Sequence, residues 1–269
     1  MISEGEVQRK HDYRFLMVTN SLCLVLFVFL FRNDFSLVST LMRYSDSVFA
    51  VYTDQTIFGG ENVGLSDIPI FINIFVLFVG LCAKFSSKIA DRWILIAKYL
   101  ISTNLIFGLL IIHGLKNIVG RARPYLALND TSLYTDFWEF GVFDFLQHSF
   151  SGSLPSGHTA TVLALLPLIF CIRFTKNYLV NDMRRIIGFS FVLVLSLVMA
   201  LGRVMIKDHF LSDCILTIFL GWNFHYFMFY FVYNMPVRLR NGVTQLGVSR
   251  TLYSSLVLAL GLGALYLMK

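Results

Sequence analysis

Long apolar runs separated by polar segments dominate this chain. A transmembrane helix needs about 20 mainly apolar residues to cross a bilayer core of about 30 Å. The pattern therefore predicts an all-α polytopic membrane protein with a six-helix transmembrane core. The six predicted spans are Phe15 to Phe31, Ile68 to Phe85, Trp93 to Leu115, Ala160 to Phe174, Ile186 to Met205 and Leu211 to Tyr233.

The polar segments divide the chain into three parts. Residues 1–14 are predicted to form a basic cytoplasmic leader, residues 15–235 a six-span membrane domain, and residues 236–269 a basic loop and a seventh apolar run. This run, Thr251 to Met268, predicts an additional C-terminal hydrophobic helix that either spans the membrane or lies at its surface. Residues 33–67 and 124–154 are long outer-face segments. The second is rich in Phe, which indicates either an aromatic belt at the interface or a lid that contacts a lipid.

The composition agrees with a membrane location. Only 14% of the residues are charged and 57% are hydrophobic, whereas a soluble domain usually has about 25% charged residues. An ordinary soluble enzyme, a disordered protein and a nucleic-acid module are therefore excluded. The net charge is +6, and a cytoplasmic N-terminus would place more of the Lys and Arg in inner than in outer loops. In a bacterium this orientation predicts the inner membrane, with the outer face towards the periplasm.

Ionisable and small polar residues gather at the ends of four predicted spans. They are Lys116 and Arg123 after the third span, Ser156, Gly157 and His158 at the start of the fourth, Arg203 at the end of the fifth, and His209 and Asp213 at the start of the sixth. Odd spans run outward and even spans inward, so all four groups are expected at the outer face. Ionisable residues beside apolar segments are costly and mark functional sites by default.

This set of residues suits a phosphate group. Arginine offers a fork of donors to phosphate oxygens, and lysine adds a point charge. Ser156 and Gly157 precede a predicted helix, whose first N–H groups and dipole favour an anion. Three cations around one site would repel each other without that anion. The same cations argue against a zinc site built from His158, His209 and Asp213.

The two histidines suit phosphoryl transfer. Asp213 follows His209 by four residues, so both lie on one face if the sixth helix has begun. A carboxylate there can hold one ring nitrogen as N–H and leave the other free to attack phosphorus. His158 then remains as the general acid for the leaving oxygen, a role that its neutral pKa range suits.

Three ordered motifs resemble those of a known family. They are K-x6-R-P from Lys116 to Pro124, P-S-G-H from Pro155 to His158, and R-x5-H-x3-D from Arg203 to Asp213. With them the chain resembles an integral-membrane member of the type 2 phosphatidic acid phosphatase family. The family has Ser before the third motif, where this chain has Gly202. This departure removes one hydroxyl contact, so substrate preference is expected to shift while activity is kept.

The resemblance implies a role for each matching residue. Lys116, Arg123 and Arg203 would hold the phosphate, with hydrogen bonds from Ser156 and Gly157. His209 would form a phosphohistidine oriented by Asp213, and His158 would protonate the leaving group and then activate water. No metal or other cofactor is implied. The substrate would be a lipid phosphate or diphosphate of the phosphatidate, phosphatidylglycerol phosphate, undecaprenyl diphosphate or lipid A class.

Two other functions remain open from the sequence. The same site in a lipid-to-lipid phosphotransferase would pass the phosphate to an acceptor lipid instead of water. A carrier of a phosphorylated solute would use the charged residues for binding alone. Three residues at the unspecified positions of the motifs are expected to have surface roles. Arg121 and Lys207 either attract anionic headgroups or are simple interfacial residues, and Asp208 is a solvated loop acid.

Overall fold

The computed structural model describes residues 4–30, 33–53, 90–134, 152–171 and 178–241, and every regular element within them is a helix. The α-helices are α1 (Glu4–Leu30), α2 (Asp34–Leu41), α3 (Val48–Tyr52), α4 (Ala90–Leu105), α5 (Gly114–Val119), α6 (Pro124–Asn129), α7 (Gly157–Leu163), α8 (Leu166–Phe170), α9 (Tyr178–Met205), α10 (Leu211–Phe227) and α11 (Met235–Asn241). Two π-helical segments, Ile106–His113 and Met228–Val232, join α4 to α5 and extend α10. Short 3-10 helices occupy Met42–Tyr44 and Thr131–Leu133.

Four helices in the described part of the chain are long and apolar enough to cross a membrane. They run over Arg9–Leu30, Leu95–Lys116, Met183–Met205 and Leu211–Val232. These ranges agree with the first, third, fifth and sixth predicted spans. The second predicted span, residues 135–151 of the aromatic segment and the C-terminal apolar run lie outside the described residues.

Two helical regions differ in detail from the layout that the sequence predicts. Helix α1 begins at Glu4, so the described part of the basic leader is the first part of the first helix rather than a separate segment. The fourth predicted span contains two short helices, α7 and α8, with a turn at Ala164 and Leu165. Pro167 near the start of α8 has no N–H to donate, which accounts for a break in the helix at this position.

Helix α10 is at the centre of the bundle and packs against α1, α7 and α9. Its Trp222 is buried against Phe15 of α1 and Phe189 of α9, with ring centroids 5.2 Å away in both cases. Asn20 and Asn223 exchange amide hydrogen bonds of 3.1 and 2.9 Å between α1 and α10. The opposite face of α1 exposes a row of valines and leucines, as expected of a helix side that faces lipid.

The ends of α5 and α9 shape the region where the predicted site residues lie. Gly120 caps the C-terminus of α5, and its φ of 62° is in the left-handed region that glycine adopts without strain. The chain then turns through residues 121–123 into α6. After α9 a tight turn, with Lys207 at a φ of 66°, leads to His209 and the start of α10. Helix α2 packs against α6, α9 and α10 and so closes one side of this region.

Candidate active site

The described structure brings all eight predicted site residues together at one end of the bundle. Gly152 and Ser153 lie along the α5–α6 turn, where the Ser153 N–H donates to the Arg121 carbonyl at 2.7 Å. This contact joins the turn after the third span to the entry of the fourth. The Ser156 N–H donates to the Thr217 hydroxyl of α10 at 2.8 Å, which ties the fourth span to the sixth. The gathering of these span ends follows the parity expected from the sequence.

His209 is buried, and its ring is held by a main-chain carbonyl. Its Nδ1 atom lies 2.6 Å from the carbonyl oxygen of Ser153. A carbonyl can only accept, so Nδ1 is the donor, and the lone pair of the neutral ring is on Nε2. Burial, followed by the charges of Lys116 and Arg203, holds the pKa of His209 well below its usual range. The ring is therefore neutral at physiological pH, as a nucleophile requires.

Asp213 is linked to His209 through Ser153 rather than by a direct hydrogen bond. Its Oδ2 lies 4.0 Å from His209 Nδ1 and accepts hydrogen bonds from the Ser153 hydroxyl and from the Phe210 N–H, the latter at 2.9 Å. Its Oδ1 accepts from Arg121 at 2.6 Å. Sequence spacing predicted a direct contact between the carboxylate and the ring. The structure instead shows Ser153, which the sequence reasoning missed, between them.

Lys116 and the start of α7 meet on the other side of the site. The Lys116 side chain is buried, and a Cβ added at Gly157 would be 3.9 Å from its Nζ. Ser156 caps α7: its hydroxyl oxygen accepts from the Thr159 N–H at 3.3 Å and from the Thr159 hydroxyl at 3.0 Å. The Ser156 and Thr159 side chains also hydrogen-bond the thiol of Cys214 in α10, so Ser156 lies in an enclosed polar cluster beside the site.

Asp208 forms ion pairs with two of the predicted phosphate-binding residues. Its carboxylate contacts Arg123 NH1 at 3.2 Å and also Arg203 NH2. The expectation that Asp208 is a solvated loop acid is therefore wrong. Arg203, in the last turn of α9, and Arg123, just before α6, repel each other, and the carboxylate of Asp208 offsets that repulsion. The Asp208 carboxylate therefore lies between Arg123 and Arg203.

Arg121 also differs from its predicted surface role. It is 1% exposed, and its guanidinium contacts the carboxylates of Asp34 and Asp213. Burial alone would lower its pKa, but these two carboxylates outweigh that effect and raise it. The sequence offered only a weak sign of this role, an isolated acid at position 34 just after the first span.

The glycine at position 202 is explained by Thr53 at the end of α3. A Cβ added at Gly202 would lie 2.2 Å from the Thr53 hydroxyl oxygen and 2.7 Å from its Cβ. The Thr53 hydroxyl therefore fills the space that a serine side chain would need, and it donates to main-chain carbonyls of α3 at 2.9 Å. Position 202 is thus a packing contact between α3 and α9.

His158 faces His209 from the first turn of α7. The two rings lie 6.5 Å apart between centroids at an interplanar angle of 64°. His158 is half-buried, while His209 is almost fully enclosed. His209 can therefore reach a group bound between the rings from inside the protein, whereas His158 reaches it from the more open side.

The helices of membrane-spanning length are consistent with an integral membrane protein, and a family comparison indicates its class. Residues 94–236 match the family model of the PAP2 superfamily. This match covers more than half of the chain and includes every predicted site residue, so the protein belongs to the PAP2 superfamily. Members of this superfamily are phosphatases, which supports a phosphoric ester hydrolase activity. Comparisons with curated proteins and with solved structures gave no match.

Proposed function

We propose that this protein is a membrane lipid phosphatase that works through a phosphohistidine on His209. The observation that carries the proposal is the anion position beside that histidine. The Asp208 carboxylate lies between Arg123 and Arg203, and the next residue along the chain is the buried, neutral His209. A phosphate group that replaces this carboxylate comes within reach of the His209 ring.

Binding of the phosphate uses donors from the ends of several helices. Arg123 and Arg203 take two of its oxygens in place of Asp208, and Lys116 adds a buried positive charge beside Gly157. Ser156 and Gly157, at the start of α7, supply further donors to the phosphate. These groups are held in place before substrate arrives, so they can stabilise the charge that develops on the phosphoryl oxygens in the transition state.

The reaction proceeds in two displacements. In the first, His209 Nε2 attacks phosphorus, the bond from phosphorus to the lipid oxygen breaks, and His158 donates a proton to that oxygen. In the second, His158 takes a proton from water, the water oxygen attacks phosphorus, and the P–N bond breaks to restore neutral His209 and release inorganic phosphate. Each step uses one side chain as nucleophile or leaving group and the other as acid or base.

The membrane helices favour a lipid substrate. The site is at the end of a bundle whose helices have membrane-spanning length, so a lipid headgroup can reach it while the acyl chains stay in the bilayer. The charge distribution of the loops supports a site on the outer face of the plasma membrane, which is the periplasmic face of the inner membrane in a bacterium. Candidate substrates are phosphatidate, phosphatidylglycerol phosphate, undecaprenyl diphosphate and lipid A phosphates.

Phosphate release from a panel of these four lipids tests the proposal. Purified protein in mixed micelles should release inorganic phosphate from at least one lipid, and His209→Ala should abolish release while His11→Gln, at the other end of α1, should not. Release that appears only with an added acceptor lipid would indicate a phosphotransferase. Flux of a labelled phosphorylated solute into liposomes that survives in His209→Ala would indicate a carrier.

A further inference from the structure

A buried ion network extends from Asp213 to a helix outside the family match. Arg121 NH1 donates to Asp213 Oδ1 at 2.6 Å and to the Ser212 hydroxyl at 2.7 Å, while NH2 donates to Asp34 Oδ2 at 3.1 Å. The guanidinium also lies 4.2 Å above the Phe210 ring. The partners around Arg121 thus fix the plane of its guanidinium.

Asp34 is the first residue of α2 and lies 60 residues before the matched region begins at residue 94. The Asp34 side chain is 3% exposed. It accepts a hydrogen bond from the Ser212 hydroxyl and another, at 3.3 Å, from the Ser212 main-chain N–H. Burial raises the pKa of Asp34 above its usual range; Arg121 and the Ser212 hydrogen bonds offset this only in part, and the charge of Asp213 adds to it. Asp34 is therefore joined to the residue directly before Asp213.

The charges in this network do not cancel. Among the described residues Arg121 supplies one positive charge, and Asp34 and Asp213 supply two negative charges when ionised, so this part of the cluster carries one net negative charge. Without Asp34, Arg121 alone would neutralise Asp213. Asp213 Oδ2 binds the Ser153 hydroxyl, and the Ser153 carbonyl binds His209 Nδ1. Only Ser153 therefore lies between this charged cluster and the proposed nucleophile.

We propose that Asp34 and Arg121 are positioning residues for His209. Arg121 holds one oxygen of Asp213, so that the other oxygen faces Ser153 and the Ser153 carbonyl faces the His209 ring. Asp34 holds Arg121 from the opposite side and keeps the cluster negative, which favours the positive charge that the ring acquires as it attacks phosphorus. This inference rests on the proposed function, and it makes α2 a part of the active site.

A role in folding alone would not change the chemistry of the folded enzyme. The pH dependence separates the two cases, because His209 also faces the positive groups Lys116, Arg203 and Arg123 and the ring of His158. Replacing Asp34 by Asn removes a negative charge from the side of His209 that faces Asp213, so the surroundings of the ring become more positive. The pKa of His209 then falls, and the acidic limb of kcat/KM moves to lower pH.

The test compares Asp34→Asn with Asp34→Glu and with Asp46→Asn, which changes an exposed acid in the segment between α2 and α3. Asp34→Asn should lower kcat about tenfold, leave KM within about twofold and shift the acidic limb down. Asp34→Glu should recover part of kcat, and Asp46→Asn should match wild type. In an Asp213→Asn background, Asp34→Asn should have little further effect, because it acts through Asp213.

Ser212→Ala gives a second measurement that keeps all charges. It removes the hydroxyl that joins Arg121 to Asp34, and it should lower kcat severalfold at unchanged KM. Wild-type kcat per folded molecule in both Asp34→Asn and Ser212→Ala, with an unmoved acidic limb, overturns the positioning role even if melting temperatures fall. A wild-type protein that releases phosphate from none of the lipids contradicts the proposed function itself and the inference with it.

Discussion

His209 Nδ1 lies 2.6 Å from the carbonyl oxygen of Ser153 and 4.0 Å from the nearest Asp213 carboxylate oxygen. The main-chain carbonyl therefore selects the tautomer of the ring. Asp213 acts on the ring through Ser153, whose hydroxyl it binds. This arrangement separates two functions, orientation by a carbonyl and charge by a carboxylate, which a direct Asp–His pair would combine.

Asp213→Asn is expected to lower kcat by about 10²–10⁴-fold with the fold intact, because an amide cannot accept the bonds from Ser153, Phe210 and Arg121 as a carboxylate does. Steady-state kinetics with the preferred lipid measure this, and Asp130→Asn, an exposed acid bonded to Ser132, is the control. Ser153→Ala should lower kcat by a smaller factor, since it keeps the main-chain carbonyl that holds the His209 ring. Near-wild-type turnover in Asp213→Asn would remove Asp213 from the mechanism.

Lys116→Gln is expected to move the acidic limb of the kcat/KM profile to higher pH. The positive charge of Lys116 disfavours the protonated ring and lowers the pKa of His209. Its removal raises that pKa, so more of the nucleophile is protonated at a given acidic pH and activity is lost earlier as the pH falls. Profiles for wild type, Lys116→Gln and Lys10→Gln check this, with Lys10 on the leader as the distant control. If the acidic limb of Lys116→Gln stays at the wild-type pH or moves to lower pH, the charge of Lys116 does not set the pKa of His209 as described.

Asp208→Asn is expected to tighten the binding of orthovanadate and of substrate by about fivefold, the scale of a partly exposed ion pair. The carboxylate competes with a phosphate for Arg123 and Arg203, and an amide carries no charge to do so. Inhibition constants for vanadate in wild type, Asp208→Asn and Asp130→Asn provide the measurement. Weaker vanadate binding in Asp208→Asn would mean that Asp208 supports the anion site rather than occupying it.

Gly202→Ala is expected to destabilise the protein by about 1–3 kcal/mol, because the new methyl group overlaps Thr53. The double variant Gly202→Ala, Thr53→Gly should recover most of this loss, since Thr53 follows the last turn of α3, where glycine is tolerated. Thermal unfolding in detergent measures both. Gly114→Ala is the matched control, with no atom within 4 Å of its new Cβ. A Gly202→Ala protein as stable as this control contradicts the packing explanation.

The sequence predicted the elements whose signal is local. The first, third, fifth and sixth spans are continuous apolar runs, and the structure places helices of membrane-spanning length over them. The gathering of Lys116, Arg203 and His209 also followed from the sequence, because span parity requires alternate helix ends to meet at one face. Three motifs in order reinforced that argument.

Contacts between distant segments were beyond sequence reasoning. Asp34 and Arg121 meet across 87 positions, and no spacing rule links them. Thr53 and Gly202 come together only because α3 packs against α9. Asp208 looked like a loop acid because the chain alone does not show that Arg123, from another loop, faces it. In each case tertiary packing brings together residues that are far apart along the chain.

The most direct test of a His209 nucleophile is capture of the phosphoenzyme. Wild-type protein is mixed with a lipid that carries a ³²P-labelled phosphate, quenched in alkali within milliseconds to seconds, and digested for mass spectrometry. The account predicts an alkali-stable, acid-labile label on the peptide that contains His209, and no label in His209→Ala. Phosphate release by wild-type enzyme without any such label, or an equal label in His209→Ala, would contradict it.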